Sequence, residues 1–592
     1  MRARRGGTGK QRTNNKPSGR GIRAKDQRSR ACEQTIRLYN CYLDRWTSSL
    51  NKRNTSKMFA CFLTLICLLG EIPCAKPYVP GTVPAEELNA QFWYKIAKED
   101  LKQVKDLTPI VKKAKNVILF LGDGMGLPTV TAARILKGQQ IGKPGEETKL
   151  AMDRYPYVAL SKTYNTNAQV SDSAGTATAF LCGAKTNSGT LGVTANVTRG
   201  DYKASLYPGN RLESIVKWAE DMEKSTAVIT TTRVTHATPG ASYAHSADRD
   251  WMSDAEMPED ARSFSKDIAQ QLLENIPNIE VIMGGGRKYM YPSDQPDVEY
   301  PNEYGTRLDK KNLVQEWLDM HMAMTASYVW NRTALEDIDA KTTDFLLGLF
   351  EPGDMQFEQE RNTTSDPSLL DMVKKALEIL KKNTNGYFML VEGGRIDHGH
   401  HDGCAHKALT EAVAFDDVVG TITNMVNKDD TLLVVTADHS HTFSLGGYAL
   451  RGNPIFEFAK DLSDEDNLTY TSILYGNGPG YQANRTNLTT EEVVDKNYLQ
   501  RASVPLKSET HGGEDVAIYA QGPMAHFFQG VKEQNYIAHL MSYAACMKSP
   551  VDYSTESHCN AAPPLVTSPF LFSSLFAASG LLGLWLCAGT LG

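Results

Sequence analysis

The sequence predicts an α/β fold, an open sheet whose strands deliver polar side chains to one edge. Three segments carry that prediction: Val117-Ile-Leu-Phe-Leu-Gly-Asp123-Gly-Met-Gly126, Tyr387-Phe-Met-Leu-Val-Glu392-Gly-Gly-Arg-Ile-Asp397-His-Gly-His-His401 and Thr431-Leu-Leu-Val-Val-Thr-Ala-Asp438-His439-Ser-His441. Each starts as an apolar run of strand length and stops at Asp, Glu or His. Open α/β sheets place their ligand crevices at the carboxyl ends of strands. Three strands meeting there with oxygen and imidazole donors have the layout of a metal cluster, not of a packed interior.

In chain order, residues 85 to about 111 read as a helix. Residues 117–122 read as a buried strand ending in a glycine-rich turn that holds Asp123. In Val170-Ser-Asp-Ser173-Ala-Gly-Thr-Ala-Thr-Ala-Phe180 the small residues favour a helix start and close approach to its free N–H groups, which attract an anion. Ser173, directly after an acid at that start, is a candidate nucleophile, although Ser and Asp in such places more often serve only as N-caps. Residues 225–232 and 281–286 read as further strands, and 369–382 as an amphipathic helix. Residues 446 to about 505 are polar and weakly periodic, and no internal repeat is apparent.

Taken singly, an Asp after a strand is usually a turn former and a His usually a hydrogen-bonded packing residue. The pairs change the balance. Asp438 and His439 are adjacent, and Asp397 and His401 share one helical face at i, i+4. Of the 13 His, four fall between His398 and His406. Asp with His suits zinc, whereas an all-oxygen set suits magnesium or calcium.

The segments Phe120-Leu-Gly-Asp-Gly-Met-Gly, Asp172-Ser-Ala-Gly-Thr-Ala-Thr, Val391-Glu-Gly-Gly-Arg-Ile-Asp-His-Gly-His-His, Thr436-Ala-Asp-His-Ser-His and Glu509-Thr-His-Gly-Gly-Glu-Asp resemble those of animal alkaline phosphatases, from about residue 85 to about residue 546. The resemblance implies a large central, mostly parallel β-sheet flanked by helices on both faces, with a small crown insertion at about 446–505 over the active-site mouth. It implies Ser173 as the nucleophile that becomes phosphoserine. Asp397, His401 and His511 would hold one zinc; Asp123, Asp438 and His439 would hold a second that also contacts the serine oxygen. Asp123, Thr238 and Glu392 would hold magnesium. Arg249 would grip the phosphate, its planar fork suiting two oxygens at once. His236 and His398 match histidines typical of the animal branch, and His441 would orient a ligand from behind. Glu299, the Phe350 carbonyl, Glu351 and Asp366 resemble a structural calcium site, although Glu351-Pro-Gly-Asp is also ordinary turn chemistry. The implied reaction is hydrolysis of many small phosphate monoesters with an alkaline optimum, in a homodimer whose N-terminal helix reaches the second subunit.

A phosphodiesterase relative would carry a threonine nucleophile, and a sulfatase a different motif; neither matches around Ser173. A cell-surface binding protein on a phosphatase shell would tend to lose ligands, and the set here is complete. Composition agrees with an enzyme: 592 residues, 41% hydrophobic and 22% charged, support a large core. Ligands spread from Asp123 to His511 must meet in one site, which favours one large domain over the three or four that about 150 residues per domain would suggest. The net charge of −6 gives no reason to expect nucleic acid.

The ends read as processing signals. Residues 1–57 are a basic, disordered extension, with Met58 as the working initiator if that stretch is a gene-model addition. Residues 58–75 carry a signal-peptide-like apolar core with cleavage near Ala75. A signal anchor obeying the positive-inside rule is the rival, and the run is short for it. The catalytic part is 76–560. Small residues at Asn560-Ala-Ala, a spacer and an apolar tail without a final Lys or Arg read as a glycosylphosphatidylinositol signal, 561–592, with attachment near Asn560. The expected location is the extracellular face of the plasma membrane. Asn196, Asn331, Asn362, Asn467, Asn484 and Asn487 begin glycosylation triplets. The resemblance implies a Cys546–Cys559 bridge. The family's other bridge has no matching cysteines, so Cys182 and Cys404 are either free and buried or joined in an unfamiliar way.

Overall fold

The computed structural model describes residues 79–553 and 555–560. The expected basic stretch, signal segment and C-terminal tail lie outside the described residues. The architecture is built on strands β1 (Asn116–Gly122), β2 (Tyr157–Lys162), β3 (Ser225–Arg233), β4 (Val281–Gly285), β5 (Ala326–Val329), β6 (Phe345–Leu349), β7 (Tyr387–Gly393) and β8 (Thr431–Ala437). Short strands follow: β9 (Ser440–His441), β10 (Phe443–Leu445), β11 (Ile473–Gly478), β12 (Ala502–Pro505) and β13 (His511–Gly512), then β14 (Val516–Gln521) and β15 (Gly530–Glu533). Ten of them form one sheet in the order β15-β2-β14-β8-β1-β7-β3-β4-β6-β5. All its pairings are parallel except those of β14, which runs antiparallel to both β2 and β8. The large, mostly parallel sheet expected from the sequence is the sheet observed.

Every residue of β1, β7 and β8 is buried, because helices cover both faces. Alternate side chains go to opposite cores: Leu119, Leu121, Leu390 and Val434 to one, Ile118, Phe120, Val391 and Val435 to the other. The first core is closed by helices Ser173–Cys182, Ile215–Glu220 and Tyr536–Ala545 through Phe180, Trp218 and Met541. The second is closed by Leu127–Gln140, Leu369–Leu380 and Ala405–Met425 through Val130, Met372 and Phe415. This two-sided burial is why the strands read as continuous apolar runs rather than alternating ones.

Register then sets the site. Gly122 pairs with Gly393 on one side and Ala437 on the other, so β1, β7 and β8 end level. The residues at or just past those ends are Asp123, Glu392 and Asp438.

Two boundaries differ from the sequence reading. The N-terminal helix splits into a 3-10 turn Ala85–Leu88 and an α-helix Ala90–Asp106, stopping short of residue 111. Pro109 disfavours helical backbone in the residue before it. The polar stretch 446–505 is not irregular throughout: β11 and β12 lie within it and join β10 in a three-stranded sheet. Among the described residues no helix is long and apolar enough to cross a membrane.

Phe388 on β7 is fully buried. Phe388→Ala is expected to destabilise the fold by about 3–5 kcal/mol, read from denaturant unfolding; a loss under about 1 kcal/mol would contradict the two-sided packing of β7.

Candidate active site

Ser173 is the first residue of its helix, and Asp172 is the cap, accepting from Ala174 N and Gly175 N. The acid therefore does the capping, and the serine hydroxyl is left to face the sheet edge. Its Oγ lies 3.1 Å from His439 Nε2 and 3.5 Å from Asp123 Oδ1. His439 Nε2 in turn lies 3.0 Å from Asp438 Oδ2 and 3.6 Å from Asp123 Oδ1. Donors around a zinc ion at about 2.0–2.1 Å in a tetrahedron are separated by about 3.3 Å. Serine oxygen, two carboxylates and one imidazole thus stand at the corners such an ion requires. Asp438 is locked there by Gly124 N (2.9 Å) and Thr176 Oγ1 (3.2 Å).

The second cluster is alongside. His401 Nε2 is 3.3 Å from Asp397 Oδ2, His511 Nε2 is 3.4 Å from Asp397 Oδ1, and the two Nε2 atoms are 3.1 Å apart. Each ring donates its other nitrogen to a backbone carbonyl: His401 Nδ1 to Glu509 O at 2.6 Å, His511 Nδ1 to Ser171 O at 2.7 Å. With the protons held at Nδ1, two lone pairs point at each other and at a carboxylate. That arrangement is repulsive unless a cation sits among them. His511 arrives here because β13 pairs with β9, setting His511 opposite His441.

A third group adjoins Asp123. Asp123 Oδ2, Glu392 Oε1, Thr238 Oγ1 and His236 Nδ1 are buried polar atoms without a hydrogen-bond partner. Donor atoms of Asp123, His236 and Glu392 lie within 4.8 Å of one another. Orphaned buried oxygens are costly, and a hard cation satisfies them.

Electrostatics point the same way. Burial, then the charges of Asp438, Asp397 and Glu392, hold the Asp123 carboxyl well above its ordinary range. Burial pushes Glu392 up to about 7 against hydrogen bonds from Thr230 and Thr232 to its Oε2, with Asp438 adding to the rise. Burial alone would lower His441, but Asp397 and Glu509, which flank its two nitrogens, raise it to about 10. Four buried carboxylates around one point need more positive charge than Arg249 and His441 supply.

Arg249 donates to Asp172 Oδ2 at 3.0 Å and to His236 Nε2 at 3.0 Å. Burial opposes ionisation of Asp172, yet Arg249 and Gly189 N bring its carboxyl down to about 2. His398 packs edge-on against His236, ring centres 5.4 Å apart.

This geometry has known counterparts. The family model for alkaline phosphatase matches residues 114–547. The chain belongs to the alkaline phosphatase family. It is 57% identical over 472 residues to the alkaline phosphatase of Gadus morhua, covering 78% of this chain and 98% of that one. It is 54% identical over 500 residues to the tissue-nonspecific isozyme of Homo sapiens, covering 83% and 95%. The alkaline phosphatase of the Antarctic bacterium TAB5 shares the fold at TM-score 0.52 and 22% identity, over 74% of this chain and all of that one. As a member of the family the chain is a phosphatase that hydrolyses phosphate monoesters with metal cofactors.

Within this alkaline phosphatase, the residues singled out from the sequence divide cleanly. Ser173, Asp123, Asp397, His401, Asp438, His439, His511, Glu392, Thr238, His236, His398 and Arg249 gather at the sheet edge. His441 stands behind, its Nε2 2.8 Å from Asp397 Oδ1. Of the four clustered histidines, His400 and His406 are drawn into packing instead: His400 bonds Thr129 and Tyr475, and His406 stacks on Phe456. Glu299, Glu351 and Asp366 lie apart from this edge. Burial pushes Glu351 up to about 7, the charges of Glu299 and Asp366 adding to it. Arg287 bonds Glu299 at 2.9 Å, and Phe350 is buried beside Glu351. Cys546 and Cys559 are bridged, while Cys182 and Cys404 are free and buried. Asn196, Asn362, Asn467, Asn484 and Asn487 are exposed; Asn331 is half-buried and caps a helix through Ala334 N.

Glu509 escaped the sequence reading, although it lies in a quoted motif. Its carboxylate accepts from His441 Nδ1 and Thr442 N, and its carbonyl fixes His401. Its place two residues before His511 was the available signal. Gly124 is also specific: at φ +67° a Cβ there would sit 2.3 Å from His441 Nε2.

The raised Glu392 carboxyl has a pH consequence in metal-free protein. Unfolded, the group ionises near about 4.3. Folded, it holds its proton up to about 7, so its contribution is complete below the unfolded value and is lost as pH rises through about 7. Against a Glu392→Gln variant, which removes this titration and keeps the opposite one of the buried histidines, chelator-treated wild type is therefore expected to lose Tm between about pH 5 and 7, and protein reloaded with zinc and magnesium to lose much less. A wild-type Tm that rises relative to the variant across that interval contradicts this reading.

Proposed function

We propose that this chain cleaves small phosphate monoesters through a phosphoserine on Ser173, in a site holding two zinc ions and one magnesium ion. The observation that carries the reading is the Ser173 oxygen standing as a fourth corner with Asp123, Asp438 and His439. Those three residues hold one zinc; Asp397, His401 and His511 hold the other; Asp123, Thr238 and Glu392 hold magnesium. Bound there, the ions supply Lewis acidity that favours negative charge on the serine and leaving-group oxygens.

The residues do the rest. The Arg249 fork takes two phosphate oxygens and aims phosphorus at Ser173 Oγ, while Asp172 fixes the guanidinium from behind. The dipole of the Ser173 helix adds a modest favourable field for the anion, while Asp172 takes the N–H groups of Ala174 and Gly175. Attack by Oγ forms the O–P bond and expels the alcohol. Water then attacks the same phosphorus, the P–Oγ bond breaks, and inorganic phosphate leaves with the serine restored. His441 and Glu509 keep Asp397 and His401 in place throughout. A site that reads phosphate and little else suits a broad substrate range, and its need for deprotonated oxygens suits an alkaline optimum.

We further infer that Glu299, the Phe350 carbonyl, Glu351 and Asp366 hold a structural calcium ion, supported by the buried Glu351 carboxyl, which burial and then the charges of Glu299 and Asp366 push up to about 7. The mature chain is read as 76–560, with the crown at about 446–505, anchored by glycosylphosphatidylinositol near Asn560 on the outer face of the plasma membrane and glycosylated at surface triplets. Homodimerisation is supported by the helix Ala90–Asp106, which buries none of its residues within the chain and exposes Trp93, Tyr94, Leu101 and Val104.

Ser173→Ala is expected to keep its zinc content and lose turnover by at least about a thousandfold, with no phosphate trapped on the protein after acid quench. Covalent phosphate accumulating at the wild-type rate excludes Ser173 as nucleophile. Wild-type activity on a simple aryl phosphate should vanish with chelator and return with zinc and magnesium; activity indifferent to chelator contradicts the metal assignment.

A further inference from the structure

Asp354 lies in the loop after β6, where Glu351-Pro-Gly-Asp354 has the composition of a simple turn. Its surroundings are not those of a turn former. Its carboxylate accepts from Arg233 N at 2.9 Å and from Arg233 Nη1 at 2.9 and 3.1 Å. Its Oδ2 is 3.7 Å from Arg395 Nη1 and 3.7 Å from His398 Nδ1. One carboxylate is thus bracketed by two guanidinium groups beside an imidazole.

The contacts continue inward. Arg395 Nη1 donates to His398 Nδ1 at 2.6 Å. A guanidinium carries only donors, so Nδ1 is the acceptor and a neutral ring keeps its proton on Nε2. His398 meets His236 edge to face, and His236 Nε2 accepts from Arg249 Nη2 at 3.0 Å. Arg395 is itself braced, its guanidinium carbon 3.8 Å from the centre of the Phe357 ring. The outer end is rigid as well. Gly286 N and Arg287 N donate to Glu351 O at 2.9 and 3.1 Å, and Met355 N donates to Thr231 O at 3.1 Å. A Cβ on Gly285 would come within 2.0 Å of Gly353 O, so loop and sheet end are in close contact.

We propose that Asp354 is a positioning residue for phosphate binding: it ties the loop 350–355 through Arg395 and His398 to His236 and Arg249. Without its carboxylate, Arg233 and Arg395 face each other as like charges, Arg395 withdraws, and His398 loses the donor that sets its orientation and tautomer. The inference rests on Arg249 being the phosphate grip.

Positioning and simple charge predict opposite signs here. Removing a negative charge near an anion site strengthens anion binding if charge alone matters. If Asp354 acts by position, the same change weakens it.

The test uses the full-length, metal-loaded enzyme and inorganic phosphate as competitive inhibitor. Asp354→Asn keeps the shape and removes the charge; the Ki for phosphate and the KM are expected to rise about tenfold while kcat changes by less than about threefold. Asp354→Glu keeps the charge and displaces it, so Ki should rise where charge alone predicts no change, which carries the test if the first variant does not fold. Combined with His398→Ala, Asp354→Asn should add little to the loss from His398→Ala alone. An unchanged or lowered Ki in both single variants overturns the proposal, as do fully additive losses in the double variant. Arg249→Ala separates the two levels. If it leaves phosphate affinity intact, the grip itself is misassigned; if it abolishes affinity while Asp354→Asn does not weaken it, only the positioning role fails.

Discussion

Buried negative charge is the constraint on which this structure turns. Parallel register brings the ends of β1, β7 and β8 level, and with them Asp123, Glu392 and Asp438; Asp397 joins from the short helix after β7. All four are buried. Stacking carboxylates in a low-dielectric interior costs several kcal/mol per unpaired charge, and the protein cations nearby are too few to offset it. The fold tolerates this only by presenting a cation-binding surface, and the neighbouring imidazoles, with their protons drawn to backbone carbonyls, present lone pairs to the same space.

The scaffold explains how such a costly edge is maintained. Two cores, one on each face, clamp the three strands along their whole length, so the strain sits at the ends of rigid elements. The loops that complete the site are then fixed one by one: Asp172 caps the serine helix and holds Arg249, Glu509 holds His441 and His401, and Asp354 braces the far side. Each of these acids touches a residue that faces the cluster. Together they form a ring of outer carboxylates whose role is orientation, and it is this ring that a motif search alone passes over.

Much of the inner site could be read from the chain because chemistry and secondary structure coincide there. A continuous apolar run that ends in Asp or Glu is visible without coordinates, and β1, β7 and β8 all have that form. Asp397 and His401 sit one helical turn apart, which spacing alone reveals. Other parts were legible only through family likeness. His511 reaches the cluster by the pairing of β13 with β9 across the whole crown, and nothing local to His511 announces it. Thr238 comes from the short helix Ala237–Ala241 and Arg249 from a turn, both beyond β3. The histidine cluster divides: His400 and His406, to which the sequence assigned no role, are turned by helical geometry into packing. The helix expected to reach residue 111 ends at Asp106, because Pro109 reshapes the backbone before it.

The central claim is that these donors surround metal ions next to one serine oxygen. Anomalous diffraction on either side of the zinc absorption edge, from crystals of the active protein, tests it most directly. Two strong zinc peaks are expected, one in bonding contact with Asp397, His401 and His511, the other with Asp123, Asp438 and His439 and adjacent to Ser173 Oγ. Peaks confined to the surface, or no peak at this edge in protein that still turns over substrate, would contradict it.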